Sequence, residues 1–214
     1  MLKRFVLPFV LSALALIVAI GILPQGNVAL AQIEVTTPVI TGPTTLVPLS
    51  SNVFTASGFA STTQVEILIN GVRMARGLTN GSGLYTATIA TPRSLAFGTT
   101  TVLGRDANLI QDSYVADVEP AILATITSGS PGTPFRVNGY AFSVQETYVM
   151  TFTEAITTAG NCVEPSATVS ETLGTGTTTL VGSFQDDTEV PDVPDDTYYV
   201  VAYGATSQTC AVLQ

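Results

Sequence analysis

Between residues 64 and 69 the chain reads Gln-Val-Glu-Ile-Leu-Ile, with Val65, Ile67 and Ile69 on one face and Glu66 and Leu68 on the other. A period of two buries one face of a strand and leaves the other toward solvent. The same pattern predicts strands over 52–59, 72–76, 84–90, 99–103 and 113–118. Asn70-Gly71 is a strong short hairpin signal and should return 72–76 antiparallel to 64–69. A second turn is expected at Thr79-Asn80-Gly81-Ser82-Gly83, after which Tyr85, Ala87 and Ile89 face the core. Further strands are predicted over 122–126, from Phe135 onward, and over 146–154, 180–184, 198–203 and 209–213. In 146–154 the alternation points Tyr148, Met150 and Phe152 inward, and Thr147, Val149, Thr151 and Thr153 outward. No helical period follows residue 31, so the fold class is all-β.

The pattern also repeats. Phe54-Thr55-Ala56-Ser57-Gly58-Phe59-Ala60 and Phe135-Arg136-Val137-Asn138-Gly139-Tyr140-Ala141 share Phe, Gly, an aromatic residue and Ala at an offset of 81. Val102 and Val200 take equivalent places at an offset of 98, which predicts 17 extra residues in the second copy, between Phe152 and Tyr198. Glu119-Pro120 marks the boundary, because proline ends strand pairing and the pattern restarts at once. The expected division is 1–31, 32–118 and 120–214, the second copy carrying an acidic insertion. So short a linker should leave the two copies stacked.

Residues 126–139, Ile-Thr-Ser-Gly-Ser-Pro-Gly-Thr-Pro-Phe-Arg-Val-Asn-Gly, resemble the opening of bacterial immunoglobulin-like repeats of the IPT/TIG kind. Asn80-Gly81-Ser82-Gly83-Leu84-Tyr85 with Gly98-Thr99-Thr100-Thr101-Val102 is similar to the later half of related surface repeats. The resemblance covers residues 38–206 and implies two tandem immunoglobulin-like β-sandwiches. It further implies a surface-exposed spacer, adhesive or structural module with no active site.

The first 31 residues change the cellular picture. Lys3 and Arg4 precede an apolar run over 5–23, and Ala29-Leu30-Ala31 fits a signal-peptidase site, so the expectation is a cleaved signal peptide. The run is also long enough for a retained membrane anchor, the one route by which this chain would meet a membrane. Either way the protein is secreted or displayed at the cell surface.

Without the leader, five arginines stand against sixteen acids, a net charge of −11, and neither Lys nor His remains. That balance argues against nucleic acid as a partner. Triads built on His or Lys are excluded, as are imidazole metal ligands. What is left to catalysis is a carboxylate pair of the glycosidase kind. Glu146 and Glu154 share a strand face but stand roughly 26 Å apart, too far for it.

Asp186, Asp187, Glu189, Asp192, Asp195 and Asp196 form the one polar concentration, read as a loop stiffened by Pro191 and Pro194. Asp186, Asp187, Asp192, Asp195 and Asp196 are the candidate calcium ligands, although their spacing matches no fixed motif. A solvated, self-repelling loop is the plainer reading, in which the chain needs no cofactor. Cys162 and Cys210 are an isolated pair in an exported chain and are expected to form a disulfide, two buried thiols being the alternative.

The function read from these residues is a non-enzymatic structural or adhesive component of the envelope. Its partner would be a surface polymer, a glycan or another copy of itself. A carbohydrate-binding module using Tyr199 and Tyr203 as stacking rings is the alternative, and a small carboxylate-based glycoside hydrolase a more distant one.

Overall fold

The computed structural model describes residues 37–154, 170–194 and 196–213. The leader, Cys162 and Asp195 lie outside the described residues. Every regular element among the described residues is a strand. The first set comprises β1 (Val39–Thr41), β2 (Thr45–Leu46), β3 (Ser51–Ser57), β4 (Gln64–Ile69), β5 (Val72–Leu78), β6 (Tyr85–Ala90), β7 (Gly98–Asp106) and β8 (Gln111–Val118). The second comprises β9 (Ala121–Ala124), β10 (Pro134–Tyr140), β11 (Thr147–Thr153), β12 (Ser170–Thr177), β13 (Phe184–Glu189), β14 (Tyr199–Gly204) and β15 (Thr209–Leu213).

Each set builds a two-sheet sandwich. In the first, β1-β3-β6 faces β2-β8-β7-β4-β5, with β2 parallel to β8 and the other pairs antiparallel. In the second, β13-β10-β9 faces β12-β11-β14-β15, antiparallel throughout. Inward-facing side chains of both sheets fill each interior, Phe54, Val65, Ile67, Ile69 and Val102 in the first and Val137, Tyr148, Met150, Phe184 and Ala202 in the second. Tyr148 stacks on Phe184 with ring centroids 3.9 Å apart. The two interiors are separate clusters, but Ala141, at the end of β10, is buried in the first one. Beside it Arg93 lies over the Tyr140 ring, 5.5 Å from its centroid.

A corner recurs in both sandwiches. In the first, buried Thr79 donates through Oγ1 to the Ala60 carbonyl (2.7 Å) and accepts from the Thr63 N–H (3.0 Å). In the second, buried Thr178 donates to the Ser143 carbonyl (2.6 Å) and accepts from the Glu146 N–H (3.0 Å). Four residues after each threonine stands a left-handed glycine, Gly83 at φ 73° and Gly182 at φ 66°. A Cβ there would lie 2.0 Å from the Phe59 carbonyl oxygen and 1.9 Å from that of Phe142. Glycine is therefore required for contact as well as for conformation.

This corner sets the true register of the repeat. Phe59 matches Phe142, and left-handed Gly58 (φ 74°) matches left-handed Ala141 (φ 56°), an offset of 83 rather than the expected 81. A slip of two residues leaves the in-and-out alternation of the matched strands unchanged, because the strand period is two. Gly139 in fact has another use. It lies under the Phe184 ring, where a Cβ would come within 2.0 Å of a ring carbon.

From Gly83 to Gly182 the offset is 99, so the second copy gains 16 residues rather than 17, between β11 and β12. The acidic run is consequently no insertion. Asp186, Asp187 and Glu189 lie on β13, the counterpart of β6, and only Asp192, Asp195 and Asp196 follow it.

Two further expectations fail. The strand predicted at 180–184 is a turn into β13, and β12 precedes it. Thr151 and Thr153 were expected in solvent but are 8% and 0% exposed, whereas Thr147 on the same face is exposed; their paired neighbours on β14 are the larger Val201 and Tyr199.

Replacing Gly83 by Ala should cost at least about 2 kcal/mol of stability. Gly71, also left-handed but with nothing within 4 Å of a Cβ, is the control for backbone strain alone. Calorimetry should show Gly83→Ala more destabilising than Gly71→Ala, and equal losses would remove the carbonyl contact from the account.

Candidate functional site

The predicted acidic site is divided by the strand that carries it. Successive residues of β13 point to opposite faces, so Asp186 and Asp187 diverge. The Asp186 carboxylate accepts the Tyr148 hydroxyl at 2.8 Å. Asp187 takes a two-pronged bond from Arg136, its directly paired residue on β10, at 2.6 and 3.0 Å. That guanidinium holds the Asp187 carboxyl below the usual carboxylate range. Asp192 and Asp196 are exposed beyond the strand. Among the described residues no group of three His, Cys, Asp or Glu side chains converges as a metal site.

Glu146 serves the fold. It is buried, and its carboxylate accepts the backbone N–H groups of Ser143 (2.6 Å), Ser207 (2.9 Å) and Thr206 (3.2 Å) as well as the Ser207 hydroxyl. These bonds fasten the β14–β15 turn to the start of β11. These donors satisfy carboxylate oxygens that burial would otherwise strand. Glu154 is exposed, so the two acids sit in unlike settings.

Tyr199 and Tyr203 do not form an open aromatic row. Both are half-buried, Tyr199 opposite Thr153, and Tyr203 between Val149 and Cys210. The aromatic concavity involves Tyr198 instead. Its ring stacks on Phe152 with centroids 4.7 Å apart, and its hydroxyl donates to the Pro194 carbonyl at 2.9 Å. Together with Phe135, Val190, Pro191 and Leu213 they line a cavity of about 380 Å³ at one end of the second sandwich.

Sequence reasoning missed a cluster on the outer face of the first sandwich. Glu66 on β4 stands directly opposite Arg76 on β5 and Arg105 on β7. Its Oε1 lies 3.0 Å from Arg73 and 3.7 Å from Arg76, and its Oε2 3.3 Å from Arg105. Arg76 also donates to the Gln64 side chain. Arg73 foremost holds the Glu66 carboxyl below its ordinary value; burial opposes it, and Arg105 adds to the lowering. Between Arg76 and Arg105 the surface dips into a recess of about 220 Å³, bordered by Asp106 and Leu109. The signal was present in the sequence. Three of five non-leader arginines lie on strands adjoining the one that carries Glu66, but that adjacency becomes visible only with the strand order.

No protein-family model and no curated protein sequence matches the chain. Among solved structures it is similar to Yersinia pseudotuberculosis adhesin InvE, at 13% identity and a TM-score of 0.37, over 83% of this chain and 57% of that one. A tetra-tandem repeat from the extending region of a large adhesion protein gives 18% identity and a TM-score of 0.32, over 81% and 48%. Bacteroides uniformis beta-glucuronidase 3 gives 13% and 0.27, over 82% and 24%. The chain thus spans between a quarter and three-fifths of these structures.

Burial and the bond to Asp186 push the Tyr148 hydroxyl well above the ordinary tyrosine value, and burial pushes Tyr114 up to about 12. A folded-state pKa raised in this way contributes stability that is complete below the unfolded value of about 10 and is lost as pH rises through the folded value. An absorbance titration should show a late phenolate phase, part of it lost in Tyr148→Phe and part in Tyr114→Phe. Complete ionisation of the native protein in one early phase would contradict this.

Proposed function

We propose that this chain is an exported, non-enzymatic component of the cell surface or envelope, with a structural or adhesive role. The observation that carries the reading is the use made of the polar groups. Glu146 anchors a turn, Asp186 fixes Tyr148, Asp187 pairs with Arg136, and Thr79 and Thr178 close corners. Side chains from which chemistry could have been built are spent on holding two sandwiches stiff. A stiff tandem presents its loops and sheet faces at set positions, which is what a spacer or adhesive module requires.

Two parts of this reading extend beyond the described residues. One is removal of the leader before Gln32, and the other is a bond between Cys162 and Cys210. Cys210 sits on the last strand opposite Tyr203, so the bond would tie the added segment between β11 and β12 to the sheet that carries β14 and β15. Closing so long a loop stabilises a chain by about 4 kcal/mol on entropic grounds.

Intact mass of native protein recovered from an envelope fraction tests all of this. The expected mass begins at Gln32 and rises by two hydrogens on reduction. Recovery from the cytoplasm alone would overturn the surface role, and two alkylatable thiols in unreduced protein would overturn the bond. Retention on a glycan array without envelope association would favour the carbohydrate-binding alternative, now centred on Tyr198 and Phe152.

A further inference from the structure

Charge is divided unevenly along this chain. Residues 37–118 hold four arginines and four acids and are neutral, whereas residues 119–214 hold one arginine and eleven acids, a net charge of −10. Within the neutral part, three of the four arginines gather around Glu66, leaving a local excess of two positive charges on one sheet face. Arg73, Arg76 and Arg105 remain 56%, 50% and 36% exposed.

We propose that this guanidinium patch is the docking surface for the acidic segment of a second copy of the chain. Glu66 orients the patch. By engaging Arg73 and Arg76 through one oxygen and Arg105 through the other, it holds the side chains in place before a partner arrives. A planar guanidinium fixed in this way retains further N–H donors, and these match the oxygens of a carboxylate. The recess beside Arg76 and Arg105, lined also by Glu66, Asp106 and Gln64, lets an incoming carboxylate approach the outward N–H groups of both guanidiniums.

The complementary surface is carried by the same polypeptide. Glu189, Asp192 and Asp196 are exposed on and just beyond β13. Among the described residues no ion pair joins them to the patch, so neither surface neutralises the other within one molecule. Both features also lie at sheet edges. β5, which bears Arg73 and Arg76, ends the five-stranded sheet, and β13 ends a three-stranded one. Edge strands leave backbone donors and acceptors open to a neighbour.

Because the two surfaces differ, the contact is heterologous. Each copy offers a patch at one place and an acidic segment at another, and repetition yields chains of molecules rather than closed pairs. This gives a self-assembling form to the proposed structural role and rests on it. The surface role would nevertheless survive failure of the assembly test, since cellular location is measured separately.

Sedimentation of the exported protein provides the test. It is run at about 0.01 M salt, where the screening length is about 30 Å, and at about 1 M, where it is about 3 Å. Wild type should form concentration-dependent oligomers in the first buffer and monomers in the second. The pairs Arg76→Glu with Arg105→Glu and Asp192→Arg with Asp196→Arg should each be monomeric when alone. Mixed in equal amounts they should associate again, because each then meets its opposite. All four positions are solvent-facing, and circular dichroism verifies that each variant is folded.

Wild type monomeric at low salt, or a mixture that stays monomeric, would overturn the proposal. So would binding of polygalacturonate by the wild type, lost on Arg76→Glu with Arg105→Glu, if self-association were absent. That result would assign the patch to an acidic glycan.

Discussion

Two buried threonines hold this fold at its corners. A hydroxyl that both donates to one backbone carbonyl and accepts from one backbone N–H satisfies two groups which a tight, water-excluding corner would otherwise strand. Thr79 does this for Ala60 and Thr63, and Thr178 does it for Ser143 and Glu146. The following glycine then brings its turn against the Phe59 or Phe142 carbonyl, closer than any side chain allows. Sheet register and the direction in which the next strand leaves both follow from that closure. Its occurrence in both sandwiches, at matching places, is the firmest sign that one plan was used twice.

The alternating strands were legible because burial on one face writes itself into the sequence. In 64–69 and 84–90 the inward faces came out as read, since Val65, Ile67, Ile69 and Ile89 all point into the first interior, but Leu68, read with Glu66 on the outward face, is 5% exposed. β12 and β13 were not legible as strands. β12 reads Ser-Glu-Thr-Leu-Gly-Thr-Gly-Thr, and β13 places a single apolar residue, Phe184, before five polar ones. Both end their sheets, so their conformation is imposed by a neighbour on one side rather than by their own pattern. The repeat offset was misjudged for a related reason. A glycine needed for its backbone angle, Gly58, was matched to one needed for ring clearance, Gly139, and sequence does not distinguish the two uses.

The candidate site shows the same limit. An acidic run is conspicuous in sequence, yet alternation along β13 sends Asp186 toward Tyr148 and Asp187 toward Arg136. The arginine cluster is inconspicuous in sequence because Arg73, Arg76 and Arg105 are brought together by the β5-β4-β7 order and not by proximity along the chain. Charge in this protein is therefore arranged by topology. One sandwich is neutral with a cationic face, and the other is strongly acidic.

Amide hydrogen exchange on the native protein reports whether the threonine corners belong to the rigid interior. The Thr63 and Glu146 amides, which donate to buried hydroxyls, and the Phe142 amide, which donates to the Gly182 carbonyl, should exchange as slowly as those of the central strands β4 and β11. If these amides exchanged as fast as those of Ser82 and Val181 at the turn tips, the corners would be passengers of the fold and the account would be wrong.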